Sequence, residues 1–166
     1  MSEQTVLVKM AEMDIVENNG RGAIKLKTTL GSCVGIILSD KMKGIHGLAH
    51  IMLPERTGRD SVVGKYADTA IPLLLDKMEK RGSKRSQISA YVVGGACMFE
   101  PYKDSGIATI GEKNVEVSKK MLKSLNIPIV FEETGGIKGR TIIFDIDSCT
   151  INVRALEKIT LPGVKN

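Results

Sequence analysis

Most apolar positions in this chain follow period two, and only two segments follow helical spacing. From Ala23 to Leu30 the alternation puts Ile24, Leu26 and Thr28 on one face of a strand. Val34 to Ser39 is a nearly unbroken apolar run, the mark of a strand covered on both faces. Ile45 to Leu53 alternates again. His46, Leu48, His50 and Met52 fall on one side, and Ile45, Gly47, Ala49, Ile51 and Leu53 on the other. Further strands are predicted to begin at Val6–Leu7–Val8, to run from Ile88 to Val93 and Ile129 to Phe131, and to form a hairpin of Arg140 to Ile146 and Thr150 to Leu156 through Asp147–Ser148.

The first helical segment is Asp68 to Arg81, where Ile71, Leu74, Leu75 and Met78 line one face. Pro72 fits it in a first turn and kinks it elsewhere, and Gly82 supplies a left-handed stop. The second is Glu112 to Leu125, with Val115, Leu122 and Leu125 inward and Asn126 and Pro128 ending it. Glu17 to Gly22 and Asp40 to Gly44 read as turns, and Pro54 to Gly64 as a polar loop. Many strands and two helices predict an α+β domain, with the helices packed on a mixed or antiparallel sheet.

A length of 166 residues suits one domain, residues 1–166. There is no Trp, so aliphatic side chains must fill the core. The three cysteines form no Cys-x-x-Cys pair, which argues against a zinc site. No signal-peptide pattern or membrane-length apolar run is visible, so a reducing cytoplasm is the expected compartment, without membrane insertion. The net charge is +5, but the lysines are scattered and lack aromatic platforms, which disfavours nucleic acid. Gly94-Gly95 is not followed by Gly-Lys-Ser/Thr, so a phosphate-binding loop is rejected and no cofactor is expected.

The candidate chemistry centres on Cys33, which follows a Gly31-Ser32 bend between two apolar runs. A free thiol has a pKa of about 8.5 and needs a partner to act as a nucleophile at neutral pH. His50 and His46 share a strand face, and spacing does not choose between them. Cys97 is a rival nucleophile that also follows glycines, and Cys149 lies in the predicted hairpin. Gly31 and Ser32 allow close backbone approach and offer amide N–H groups to a developing oxyanion. An activated Cys33 thiolate is expected to be alkylated at lower pH than Cys97 or Cys149.

The motifs LGSCVGI, GLAHIMLP, KYADTAIP, VGGACMFE, IGEKNVE and ETGG occur in this order, and together they resemble the CheD family of chemoreceptor glutamine deamidases. The resemblance implies a single-domain layered α/β sandwich related to bacterial toxins that deamidate glutamine. It implies work on the cytoplasmic domains of chemotaxis receptors, with a CheC-type phosphatase as partner. Carried onto this chain, it makes Cys33 the nucleophile and His50 the base, and leaves His46 and Cys97 as packing. The family's third residue is a threonine six positions before the cysteine. That position is Lys27 here, so Thr28 is the candidate. A shift by one reverses a strand residue's facing unless a bulge corrects it. A binding module that regulates the phosphatase, or a receptor methylesterase, are the alternative functions.

Overall fold

A computed structural model of the chain describes residues 3–20, 22–98 and 108–157. The strands divide between two sheets. β1 (Gln4–Leu7), β3 (Ile24–Leu30), β8 (Arg140–Asp145) and β9 (Thr150–Ala155) make a four-stranded sheet in that order. β2 (Met13–Glu17), β5 (Ile45–Ile51), β4 (Val34–Asp40), β6 (Ile88–Gly94) and β7 (Ile129–Thr134) make a five-stranded one. Only the β1–β3 and β6–β7 pairs are parallel. Two helices, α1 (Ala67–Lys80) and α2 (Ile110–Ser124), complete the fold among the described residues. The expected α+β layered sandwich therefore forms as helices, five-stranded sheet and four-stranded sheet, one upon the next.

The period-two pattern explains the layering. β4 and β5 are buried throughout because each of their faces meets a layer. Ile36, Leu38, Ala49 and Ile51 pack towards Ile71, Leu74 and Met78 of α1. Ile37 and Leu48 point the other way, into a second core with Leu26, Leu30, Ile142 and Phe144 of the four-stranded sheet. On β3, Leu26, Thr28 and Leu30 are buried and Thr29 is exposed, so Thr28 faces the space between the sheets.

Several boundaries moved for local reasons. β2 has no counterpart in the sequence reading, because its two acidic residues obscure an edge strand that pairs with β5. α1 begins at Ala67, so Pro72 lies beyond the first turn. The chain leaves α1 as expected through Gly82, with φ +110°. α2 starts at Ile110 because Thr109 and Glu112 form a reciprocal capping box. Its fully buried positions are Gly111, Asn114, Ser118 and Leu122, whereas Val115 and Leu125 are only partly buried against the core. The Pro54–Gly64 loop is tied down where Asp60 accepts from Tyr66 Oη at 2.6 Å and Lys65 Nζ at 3.2 Å. No helix among the described residues is long and apolar enough to cross a membrane. The sequence also offers Phe99 to Ile110 as a loop for partner contact, and Phe99–Ile107 lies outside the described residues.

Candidate active site

His50 sits near the end of β5, opposite Gly35 of β4. Its ring enters the space between the sheets and meets Thr28 from β3, with Thr28 Oγ1 2.7 Å from His50 Nδ1. The same Oγ1 donates to the Val8 carbonyl at 2.6 Å. A carbonyl only accepts, so the single hydroxyl proton is committed to Val8. Oγ1 is left to accept from an Nδ1–H. That fixes the tautomer: Nε2 carries the lone pair. Nε2 is buried and has no hydrogen-bond partner among the described residues. Thr28 thus reaches the ring by ordinary strand alternation. The β3–β8 register is continuous across it, and no bulge is required.

The turn between β1 and β2 clamps this arrangement. Val8 N donates to Lys27 O at 2.9 Å in one sheet. Ala11 N donates to His50 O, and His50 N to Glu12 O, both at 3.0 Å, in the other. The turn therefore holds the Thr28 and His50 strands together. It is closed by Ala11 in the left-handed region, with φ +65°.

Cys33 immediately precedes β4, two residues before Gly35, and is partly buried against the core between the sheets. Its side chain and His50 thus belong to the same compartment. Burial pushes the Cys33 thiol up, opposed by its own amide N–H. Burial pushes the His50 imidazole down, opposed by the Val8 carbonyl. Both shifts favour the neutral forms of the thiol and the imidazole. This differs from the expectation of a resting thiolate that is alkylated at low pH. The physical reason is desolvation of both groups by the two sheets.

The bend bearing Cys33 is held through three successive carbonyls. Gly31 O accepts from Ala96 N at 3.0 Å, and Cys33 O from Gly95 N at 2.9 Å. Ser32 O accepts from Asn114 Nδ2 at 3.0 Å. Glycine is required beside it: at Gly94, with φ +112°, a Cβ would collide with the Cys33 carbonyl.

A family model described as CheD chemotactic sensory transduction matches residues 52–155. That is most of the chain, although it starts just past His50. The chain belongs to the CheD family. A protein of Clostridium novyi is 47% identical over 129 residues, covering 76% of this chain and 80% of its own. One of Clostridium kluyveri is 42% identical over 153 residues, covering 90% and 94%. One of Methanococcus vannielii is 41% identical over 148 residues, covering 89% and 92%. Each carries the name "Probable chemoreceptor glutamine deamidase CheD".

In this CheD-family chain the other candidates lie apart. His46 shares a face with His50 but pairs with Ser39 at the far end of β4. Four residue steps along the strand separate the two histidines, roughly 13 Å. Its Nδ1 is 2.9 Å from Ser39 Oγ, and its ring lies 5.6 Å from that of Phe144. Cys97 is partly buried, and its N donates to Gly136 O at 2.9 Å. Cys149 closes the β8–β9 turn with φ +53°. The sequence reading missed Asn114. Its signal was a lone amide beside Lys113 inside a predicted helix, where apolar periodicity draws the eye to Val115.

Burial lowers the His46 pKa from 6.5 to about 4, against the pull of Asp40. The unfolded chain takes up this proton near pH 6.5, while the folded chain resists until about pH 4. Stability is therefore full above pH 6.5 and lost as pH falls towards 4, by up to about 3 kcal/mol from this group. Urea unfolding between pH 7.5 and 4.5 checks it: His46→Gln should flatten the acid slope, and an unchanged slope contradicts the assignment.

Proposed function

We propose that this chain hydrolyses glutamine side-chain amides in the cytoplasmic domains of chemoreceptors, through a thioester on Cys33. The observation that carries the reading is the His50 ring. Its Nδ1 side is satisfied by Thr28, and its Nε2 is buried without a partner in the compartment that Cys33 borders. The names of the relatives support the substrate class.

His50 Nε2 takes the thiol proton as Sγ attacks the carboxamide carbon, so the sulfur is ionised during attack rather than beforehand. The C–S bond forms and the carbonyl electrons move to oxygen. Amide N–H groups of the Gly31–Cys33 bend hold that oxyanion. His50 then protonates the amide nitrogen, the C–N bond breaks, and ammonia leaves. Water attacks the thioester as His50 accepts its proton, and that proton returns to sulfur as glutamate departs. Thr28 keeps the ring in the useful tautomer. The route needs no cofactor, and a CheC-type phosphatase is the regulatory partner that the family reading brings with it.

The test is incubation with a receptor cytoplasmic fragment. The expected result is a gain of about one dalton at specific glutamines, absent with Cys33→Ala. A methyl ester would pass through the same thioester, but it would lose a methylene's mass instead. Full activity in Cys33→Ala overturns the assignment of the nucleophile.

A further inference from the structure

Asn114 is a fully buried amide on α2, and the mechanism above gives it no part. Its Nδ2 makes two hydrogen bonds, to Ser32 O and to Met52 O, each 3.0 Å. Both acceptors are backbone carbonyls beside the reacting pair. Ser32 is joined to Cys33 by a peptide bond, and Met52 lies two residues past His50. Asn114 Oδ1 is buried with no partner among the described residues. An amide kept in a core with an unmatched acceptor is a poor stabiliser, since an orphan of that kind costs about 1–3 kcal/mol. Such violations of packing rules gather at functional sites.

We propose that Asn114 is a positioning residue that sets both halves of the site, aiming the Cys33 amide N–H by holding the Ser32 carbonyl and fixing the end of the His50 strand by holding the Met52 carbonyl. In a trans peptide the C=O and N–H point in opposite directions. Tethering Ser32 O to the helix therefore turns the Cys33 N–H away from α2. The Cys33 N–H opposes the upward push of burial on the thiol, and so acts in the neighbourhood of the sulfur. This is where an oxyanion formed by attack of that sulfur needs a donor.

The close approach that lets a short side chain span both carbonyls has a visible cause. Gly111, one turn earlier on α2, packs directly on the Gly95–Ala96 backbone. The same backbone holds Gly31 O and Cys33 O. Asn114 supplies the middle of the three tethers on the bend, and it is the one that reaches across to β5.

The proposal rests on the deamidase reading, and one experiment separates the two. Full-length protein, Asn114→Ala, Asn114→Asp, Ser118→Ala and Cys33→Ala are assayed on the receptor fragment, and each fold is checked by circular dichroism. Asn114→Ala is expected to lower kcat about 10- to 100-fold with KM within about threefold, less than deletion of an oxyanion donor outright. Asn114→Asp keeps the volume but offers at most one donor, so it should fall between. Ser118→Ala removes a buried hydroxyl one turn away that has no partner among the described residues, and should leave kcat unchanged. Activity in Cys33→Ala overturns the deamidase reading. A silent Cys33→Ala beside an Asn114→Ala of undiminished kcat overturns only the positioning role.

A second readout needs no substrate. Loss of the tether lets the Cys33 N–H swing away from the sulfur. The iodoacetamide labelling curve of Cys33 should then move to higher pH in both Asn114 variants, with those of Cys97 and Cys149 fixed. A Cys33 curve that does not move in a folded Asn114 variant refutes the proposal.

Discussion

Replacing His50 with glutamine is expected to lower kcat for receptor deamidation by about 10²- to 10⁴-fold, the usual contribution of a positioned general base. The expectation follows from two desolvated groups. Burial raises the Cys33 pKa, so little thiolate exists at neutral pH without a proton acceptor at hand. Burial lowers the His50 pKa, so that acceptor is unprotonated and ready at pH 7. The sign of the pH dependence follows. Activity should hold as pH falls through 6.5, the ordinary histidine value, and drop only below it, where the buried ring finally takes a proton. Thr28→Val should do less. It strands the Nδ1–H without an acceptor, a loss of about 1–3 kcal/mol, or roughly 5- to 150-fold. A pH–rate profile of kcat/KM for the parent and both variants checks the set. Parent-like turnover in His50→Gln, or a Thr28→Val loss larger than that of His50→Gln, would contradict the assigned roles.

The second large effect is expected far from any reacting atom. Alanine usually stabilises a helix relative to glycine, by about 1 kcal/mol in an interior position. At Gly111 the opposite should occur. An added Cβ would lie 2.5 Å from Gly95 O, 2.6 Å from Gly95 C and 2.8 Å from Ala96 O. All three are backbone atoms, so no rotamer relieves the contact. α2 must move outward, and Asn114 moves with it. Overpacking of this kind costs about 1–3 kcal/mol. Urea unfolding should place Gly111→Ala below the parent by about that amount, and the folded fraction should turn over more slowly. A variant more stable than the parent would show that α2 does not bear on the Gly95–Ala96 backbone.

These effects also mark what period and composition were able to reveal. Alternation gives facing, and facing alone put Thr28, His46 and His50 on inward sides. It does not give partners, so it left His46 and His50 equal until register placed one beside Gly35 and the other beside Ser39. Nor does it say how many sheets the strands make, because a strand buried on both faces reads the same in either arrangement. β7 runs to Thr134 although Glu132 and Glu133 disguise it, since the pairing with β6 comes from its backbone. Helical spacing failed in a more instructive way on α2. The reading placed Val115, Leu122 and Leu125 inward; Leu122 is fully buried and the other two partly, but the rest of the buried face is Gly111, Asn114 and Ser118. Small and polar side chains are inward there because the helix approaches a backbone rather than a layer of aliphatic groups.

The neutral resting state of Cys33 also bears on the durability of the protein. Peroxide and other oxidants attack thiolates far faster than thiols, and the damage can run to irreversible acids. On the proposed route the sulfur is ionised only while a carboxamide is pressed against it, and so spends little time in the vulnerable form. The two sheets whose desolvation holds its pKa up thereby shield it from oxidative loss.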